Sequence, residues 1–195
     1  MSLVPAFEIG VWNAWILQVL LFLTMLIPDL FLDKEARERS KRLSQLAPFK
    51  KAEKILALST HAIIMPAVFI YSIFLPLKIG TLWLYVGLPI FAVALGISVA
   101  SIFNAGATPA DKPVTRGVYR ISRHPIYLSG FLAYLGTAIC CASWPVLLCA
   151  VLWIAFWHIV VPTEERLLIE RYGYAYREYM NRTPRWIGIP KAEKT

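Results

Sequence analysis

The sequence predicts an all-α membrane protein that crosses the bilayer about five times and ends in an amphipathic cytoplasmic helix. Of its 195 residues, 58% are hydrophobic and only 16% are charged, whereas a soluble domain is about half apolar and about a quarter charged. Long uncharged runs and a one-sided distribution of basic residues support the same fold class. A soluble protein with an oversized core is therefore disfavoured.

Four runs contain no Asp, Glu, Lys or Arg: residues 9–27, 55–77, 80–110 and 126–161. A membrane-spanning helix needs about 20 apolar residues, so each of the first three runs predicts one crossing. The fourth would make a helix of about 54 Å. It contains Pro145, and the residue before a proline is disfavoured in a helix. We therefore expect two short spans joined by a tight turn at residues 143–145.

The first run could also be a cleaved signal peptide. No Lys or Arg precedes Lys34, and no clear small-residue cleavage site follows the run. We therefore expect it to remain as a true span.

The basic residues predict the orientation. Nineteen of the 20 Lys and Arg residues fall in three segments that five crossings put on one side, residues 33–54, 105–124 and 163–195. Cytoplasmic loops collect Lys and Arg, so we expect the amino terminus outside and the carboxyl terminus in the cytoplasm. No organelle signal is recognised, which favours a prokaryotic inner membrane. The net charge of +8 indicates contact with membrane lipids rather than with nucleic acid.

The chain divides into two parts. Residues 1–104 hold three spans and a cytoplasmic linker, residues 33–54, in which Glu35 and Arg39 have the four-residue spacing of a surface helix. The same spacing relates Glu38 and Arg42. Residues 105–195 hold a loop, the helix hairpin 126–161 and a carboxyl-terminal helix, residues 163–181.

Other polar groups in the spans carry weaker signals. His61 lies in the second span, where a histidine is either functional or packed. The three cysteines have no zinc-ligand spacing, so we expect packing roles and no metal site.

We expect the carboxyl-terminal helix to be separate from the fifth span. Pro162 would close the span, and Thr163 would cap the new helix, with Glu164 and Glu165 in its first turn. Tyrosines then recur at roughly helical spacing and predict a face packed against the membrane. The members of that face are Leu168, Tyr172, Tyr176 and Tyr179.

The hairpin would bring two polar clusters together at its cytoplasmic end. Pro125 begins the first helix, where a first-turn proline is tolerated. The cluster before that helix comprises Tyr119, Arg120, Arg123, His124 and Tyr127. The cluster after the hairpin comprises Glu164, Glu165 and, less directly, His158. Such a mixture of positive, aromatic and acidic groups is either functional or a set of ion-paired helix ends.

These segments also carry a family resemblance. The stretch "GVYRISRHPIYLSG", followed after the hairpin by "EERLLIERYGYAYREYMNRTPR", resembles the isoprenylcysteine carboxyl methyltransferase and phospholipid methyltransferase superfamily. The resemblance covers roughly the last 90 residues. It implies an integral membrane methyltransferase that uses S-adenosyl-L-methionine without a Rossmann domain, in keeping with the absence of a GxGxxG motif here.

The resemblance also implies residue roles. The expected cofactor contacts are Tyr119, His124, Pro125, Tyr127 and Glu164, with Val114 lining the pocket through its backbone. Aromatic faces suit the sulfonium cation or the adenine. Of the expected catalytic residues, Arg123 would orient an anionic acceptor and Glu165 would take a proton from a thiol or an amine. Arg123 could instead contact a lipid phosphate, and Glu165 could pair with Arg123 or Arg166.

The expected acceptor is a lipophilic small molecule or lipid: an isoprenylcysteine-like carboxylate, a lipid amine or a thiol. Carboxyl methyltransferases of this family usually have an arginine shortly before the Glu pair, whereas here the nearest basic residue is His158, a difference that disfavours the carboxylate. One alternative is an NADPH-dependent membrane reductase of the sterol-reductase type, which has a similar motif. The other is a non-enzymatic membrane scaffold or transporter.

Overall fold

The computed structural model describes residues 8–41, residue 62 and residues 65–189. These residues form seven α-helices, one 3-10 helix and no β-strand, which confirms the all-α class. The elements are α1 (Trp15–Phe31), α2 (Lys34–Ser40), α3 (Met65–Ile73), α4 (Leu82–Gly106), the 3-10 helix (Gly117–Arg120), α5 (Pro125–Cys140), α6 (Trp144–Tyr172) and α7 (Tyr174–Arg182).

Two helices, α4 and α6, are long and apolar enough to cross a membrane, and α1 and α5 are shorter apolar helices. Their apolar side chains are not all packed inside the protein. Large exposed side chains on α4 and α6 include Leu82, Trp83, Val86, Val93, Leu148, Val151, Leu152 and Ile159. Exposed apolar surface on this scale is typical of a contact with lipid. The structure thus supports a membrane-embedded all-α protein, while the number of crossings stays a prediction.

The helices α4 and α5 make the most extensive helix contact in the protein. A Cβ atom on Gly87 of α4 would lie 2.6 Å from the backbone nitrogen of Cys140, and one on Gly136 of α5 would lie 2.7 Å from that of Phe91. Small residues allow helix backbones to approach this closely in membrane proteins. The two glycines therefore determine how closely α5, which leads to the candidate site, packs on α4.

Polar contacts attach α1 and α2 to α4. The hydroxyl oxygens of Thr24 in α1 and Ser98 in α4 are 3.0 Å apart and buried. Asp33 caps α2 by accepting a hydrogen bond from the Ala36 backbone. Arg39 donates to the carbonyl of Gly106 at the end of α4.

The surface helix expected in the linker is partly confirmed by α2. Glu35 and Arg39 form the expected ion pair at 3.2 Å. The second expected pair, Glu38 with Arg42, involves a residue outside the described part of the chain, and Glu38 instead pairs with Lys41 at 2.6 Å. His61 also lies outside the described residues.

The predicted helix hairpin is present, but its turn lies at residues 141–143 rather than at 143–145. Helix α5 ends at Cys140 and α6 begins at Trp144, so that Pro145 lies in the first turn of α6. The connecting turn is tight, and Ala142 adopts a φ of 49°. The two helices pack along one another, which brings the start of α5 close to the far end of α6.

The predicted break at Pro162 is wrong. Helix α6 continues through Pro162 to Tyr172, and Thr163 begins no new helix. An interior proline costs about 3 kcal/mol, but the residues that follow it are good helix formers and Glu165 is held by ion pairs on the buried side. The chain breaks instead at Gly173, whose φ of 57° suits glycine.

The expected tyrosine face also differs from the structure. Tyr176 and Tyr179 are buried in a cluster with Tyr119, whereas Tyr172 is only half-buried. These side chains therefore point α7 toward the loop before α5 rather than toward a membrane face. The helical spacing correctly predicted that Tyr176 and Tyr179 share one face, but spacing alone does not indicate what that face contacts.

Candidate functional site

A pocket lies where the hairpin of α5 and α6 meets the loop before α5 and helix α7. It is partly open to solvent, and its cavity volume is about 80 Å³. Six of the eight residues predicted for the site line it: Val114, Tyr119, Arg123, His124, Tyr127 and Glu164. Pro125 and Glu165 are buried next to these residues but do not line the pocket.

Gly117, the first residue of the stretch "GVYRISRHPIYLSG", shapes the loop before α5. Gly117 has a φ of 59°, and a Cβ atom there would clash with the side-chain amide of Asn104 at the end of α4. Only glycine fits this combination of backbone angle and close contact. The 3-10 helix that follows buries Tyr119, whose carbonyl accepts a 2.6 Å hydrogen bond from the Tyr179 hydroxyl.

His124 immediately precedes α5 and lies between the two carboxylates of α6. Its Nε2 is 3.3 Å from Oε1 of Glu165, and its Nδ1 is 3.7 Å from Oε2 of Glu164. Pro125 occupies the first helical position, where the missing N–H has no cost. The R-H-P motif therefore starts a helix and directs an imidazole onto the partner helix at the same time.

Tyr127 forms the second contact across the hairpin. Its hydroxyl donates to Oε2 of Glu164 at 3.1 Å, and its ring stacks on Trp157, with 3.6 Å between the ring centroids. The Trp153 indole donates to the Tyr127 carbonyl at 2.9 Å. Both the ring and the hydroxyl of Tyr127 are thus held in one orientation at the pocket wall.

Glu165 forms the centre of a buried ion-pair cluster and is only 3% exposed. Its Oε1 is 2.8 Å from Nη2 of Arg123, and its Oε2 is 2.6 Å from Nη2 of Arg185. Burial raises the pKa of this carboxyl, but hydrogen bonds from His124 and Arg185 and the charge of Arg123 outweigh burial and lower the pKa to about 2. Glu165 lies beyond Val161, where the uncharged part of α6 ends.

This geometry points away from the catalytic roles expected for Glu165 and Arg123. A carboxylate with a pKa near 2 is a weak base at neutral pH. Arg123 also donates to the carbonyls of Met180 and Thr183 at 2.9 and 3.2 Å, so its fork is largely used within the protein. Of the pairings predicted for Glu165, the one with Arg123 is present. Arg166 instead donates to Thr163.

A carboxyl-terminal strap, residues 183–189, runs along the segment before α5. The Arg123 backbone donates to the Pro184 carbonyl at 3.0 Å, and the Gly188 backbone donates to the Ile121 carbonyl at 3.2 Å. Ser122 connects both segments, because its hydroxyl donates to the Arg185 carbonyl and accepts from the His124 backbone. The strap therefore holds His124 and Arg123 in position from behind.

His158, named with the acidic cluster in the sequence, lies outside the pocket. It is exposed, and its Nδ1 accepts a 3.2 Å hydrogen bond from the Trp186 indole of the strap. Arg120 does not line the pocket either.

Several site residues were not foreseen from the sequence. The residues that line the pocket or contact its residues without having been predicted are Pro113, Ile126, Trp157, Leu168, Arg171, Tyr172, Tyr176, Tyr179 and Arg185. Helical spacing offered a signal for Tyr176 and Tyr179, since both were expected on one buried face. Nothing in the local sequence around Arg185 indicates that it reaches back 20 residues to Glu165.

The aromatic and polar groups that line the pocket indicate which kind of ligand it could hold. Its lining combines tyrosine rings, the carboxylate of Glu164 and the buried hydroxyl of Tyr176, which has no hydrogen-bond partner among the described residues. This set fits a ligand with a cationic centre, an aromatic base and several hydrogen-bond acceptors, which S-adenosylmethionine has. Within the described residues, no three His, Cys, Asp or Glu side chains converge as metal ligands would.

Comparison with known proteins shows which sequences this chain resembles. A sequence profile of the phospholipid methyltransferase family matches residues 82–175. Protein-S-isoprenylcysteine O-methyltransferase B of Arabidopsis thaliana is 40% identical over 101 residues, which cover 50% of this chain and 49% of that protein. Protein-S-isoprenylcysteine O-methyltransferase of Schizosaccharomyces pombe is 32% identical over 125 residues, 63% of this chain and 52% of that protein.

The chain spans about half the length of these curated relatives. The matched segment runs from the start of α4 to the start of α7 and so contains the hairpin, the loop and both glutamates. Residues 82–175 of this chain are therefore similar to the phospholipid methyltransferase family, and much of the chain is similar to the two protein-S-isoprenylcysteine O-methyltransferases.

Proposed function

We propose that this chain is an integral membrane methyltransferase that uses S-adenosylmethionine to methylate a lipophilic acceptor at the cytoplasmic membrane face. One observation carries the proposal. Six residues predicted from the family motif, separated by up to 50 positions in the sequence, line a single pocket at the end of the helix hairpin. Ion-paired helix ends alone would not require a pocket between them.

The proposed cofactor supplies an electrophilic methyl group on a sulfonium centre. Glu164 would balance its positive charge, because the carboxylate lines the pocket and is oriented by the Tyr127 hydroxyl. The rings of Tyr119 and Tyr127 would offer faces to the cation or to the adenine. His124 would hydrogen-bond polar groups of the cofactor, and Val114 would contribute a wall.

The residues around the pocket would act mainly by positioning, which can contribute several kcal/mol to a displacement reaction. The ion-pair cluster behind the pocket keeps His124 against α6, and the strap covers that cluster. The weak basicity of Glu165 favours an acceptor that needs no proton removal. A carboxylate meets this condition, and both relatives are named as O-methyltransferases of isoprenylcysteine. A lipid amine or thiol acceptor would need a different base.

The proposal includes a topology. Five crossings would put the pocket at the cytoplasmic face of a prokaryotic inner membrane, with the amino terminus outside. The apolar outer faces of α4 and α6 would contact lipid, so a lipophilic acceptor could approach the pocket from the bilayer.

Ligand binding tests the proposed function directly. The protein purified in detergent is titrated with S-adenosylhomocysteine and, separately, with NADPH, by calorimetry or thermal shift. We expect S-adenosylhomocysteine to bind, His124→Ala to abolish binding, and His158→Ala to bind like the wild type, because His158 lies outside the pocket. Binding of NADPH alone would favour the reductase alternative. Binding of neither would favour a non-enzymatic scaffold.

A further inference from the structure

Tyr176 and Tyr179 are neighbours on α7 with opposite hydrogen-bonding states. Both side chains line the pocket, both are more than nine-tenths buried, and their rings are 5.7 Å apart. The Tyr179 hydroxyl donates to the Tyr119 carbonyl at 2.6 Å. The Tyr176 hydroxyl is buried and has no hydrogen-bond partner among the described residues.

An unpaired buried hydroxyl is costly. Leaving such a group without a partner costs about 1–3 kcal/mol, and buried polar groups in native proteins are nearly always satisfied. Phenylalanine would fill the same space without this cost. The presence of a hydroxyl at residue 176 therefore indicates a partner that enters the pocket.

The partner of Tyr176 must be a hydrogen-bond acceptor. Burial raises the pKa of Tyr176, and the charges of Glu165 and Glu164 raise it further, so the phenol keeps its proton and can donate. The negative potential of the two carboxylates would also orient the hydroxyl hydrogen. Glu164 accepts its hydrogen bond from Tyr127, and Glu165 bonds to His124 and Arg185. Neither carboxylate is the hydrogen-bond partner of the Tyr176 hydroxyl.

We propose that Tyr176 is a further cofactor-binding residue, whose hydroxyl donates a hydrogen bond to an acceptor atom of S-adenosylmethionine. This inference rests on the proposed function and names one more residue of the same site. The acceptor is either in the nucleoside half, as a ribose oxygen or adenine nitrogen, or in the carboxylate of the amino-acid tail.

Paired conservative variants test this assignment, with S-adenosylhomocysteine as the probe. For Tyr176→Phe, we expect the melting temperature without ligand to equal or exceed that of the wild type, because no protein hydrogen bond is lost. The dissociation constant should rise roughly tenfold, as expected for a lost hydrogen bond of about 1–2 kcal/mol. The matched variant Tyr179→Phe should lower the melting temperature without ligand, because it removes the bond to the Tyr119 carbonyl.

A second probe, 5′-methylthioadenosine, lacks the amino-acid tail. A loss of affinity for both probes in Tyr176→Phe assigns the bond to the nucleoside half, and a loss for S-adenosylhomocysteine alone assigns it to the tail. Unchanged affinity for both, with the wild type binding normally, overturns the assignment of Tyr176 and leaves the proposed function intact. A melting temperature several degrees lower without ligand also overturns it, since the hydroxyl then has a partner in the free protein. If the wild type binds neither probe, both proposals are wrong.

Discussion

Replacement of Glu165 by glutamine perturbs the ion-pair cluster most directly. The variant keeps the shape of the side chain but removes the negative charge that Arg123 and Arg185 share. The side chain of Arg123 is only 10% exposed, so its charge would stay buried without a counter-ion. Removal of one partner from a buried pair typically costs about 3–5 kcal/mol.

The pKa of Glu165 provides a second way to work out how much this carboxylate contributes to the free energy of unfolding. A carboxyl whose pKa falls from an ordinary 4.5 to about 2 in the folded state contributes about 3 kcal/mol to stability. Because the folded pKa is the lower one, this contribution is complete above about pH 4.5 and is lost as the pH falls toward 2. The two routes agree to within about 2 kcal/mol.

The assay is denaturant or thermal unfolding in detergent, between pH 7 and pH 3. At pH 7, the free energy of unfolding of Glu165→Gln should be about 3 kcal/mol lower than that of the wild type. The wild type should lose stability below pH 4.5 more steeply than the variant. Glu170→Gln, an exposed glutamate on the same helix, is the matched control and should change stability by less than about 0.5 kcal/mol. A Glu165→Gln variant within about 1 kcal/mol of the wild type at pH 7 would refute the reasoning.

Three further predictions concern packing and the strap. Gly136→Ala should lower the free energy of unfolding by about 1–3 kcal/mol, because the new Cβ would lie 2.7 Å from the Phe91 backbone. Gly96→Ala on α4 has open space and should be neutral or slightly stabilising in the same melt. Equal effects of the two would contradict the account of α4–α5 packing. Arg185→Gln should cost less than Glu165→Gln in denaturant unfolding, since Arg185 is about one-third exposed and Arg123 still neutralises the carboxylate; a larger cost would contradict this.

The elements that depend on local signals could be predicted from the sequence. The turn of the hairpin, its first-turn proline and the surface helix α2 all follow from charge, proline placement and helical spacing. Once the hairpin is predicted, the approach of His124 and Tyr127 to the glutamates follows from topology. Val114 and Tyr119 could be assigned to the pocket only from the family resemblance, because residues in a loop have no periodic sequence pattern.

Features that depend on tertiary partners could not be predicted in this way. Pro162 normally interrupts a helix, but the good helix formers that follow it, together with the ion pairs of buried Glu165, explain why α6 continues to Tyr172. Arg185 lies 20 residues from its partner along an irregular strap, so no spacing rule connects the two. Tyr176 and Tyr179 were expected on one face, but their contact with the loop rather than the membrane depends on how α7 turns at Gly173.

The central claim is that the pocket at the end of the hairpin binds the methyl donor of a membrane enzyme. The most direct measurement incubates the purified protein with a membrane lipid extract and S-adenosylmethionine labelled in the methyl group, and follows label into the lipid fraction. We expect transfer by the wild type and by His158→Ala, and none by His124→Ala. Transfer by His124→Ala at the wild-type rate, or binding of S-adenosylhomocysteine that is insensitive to this variant, would contradict it.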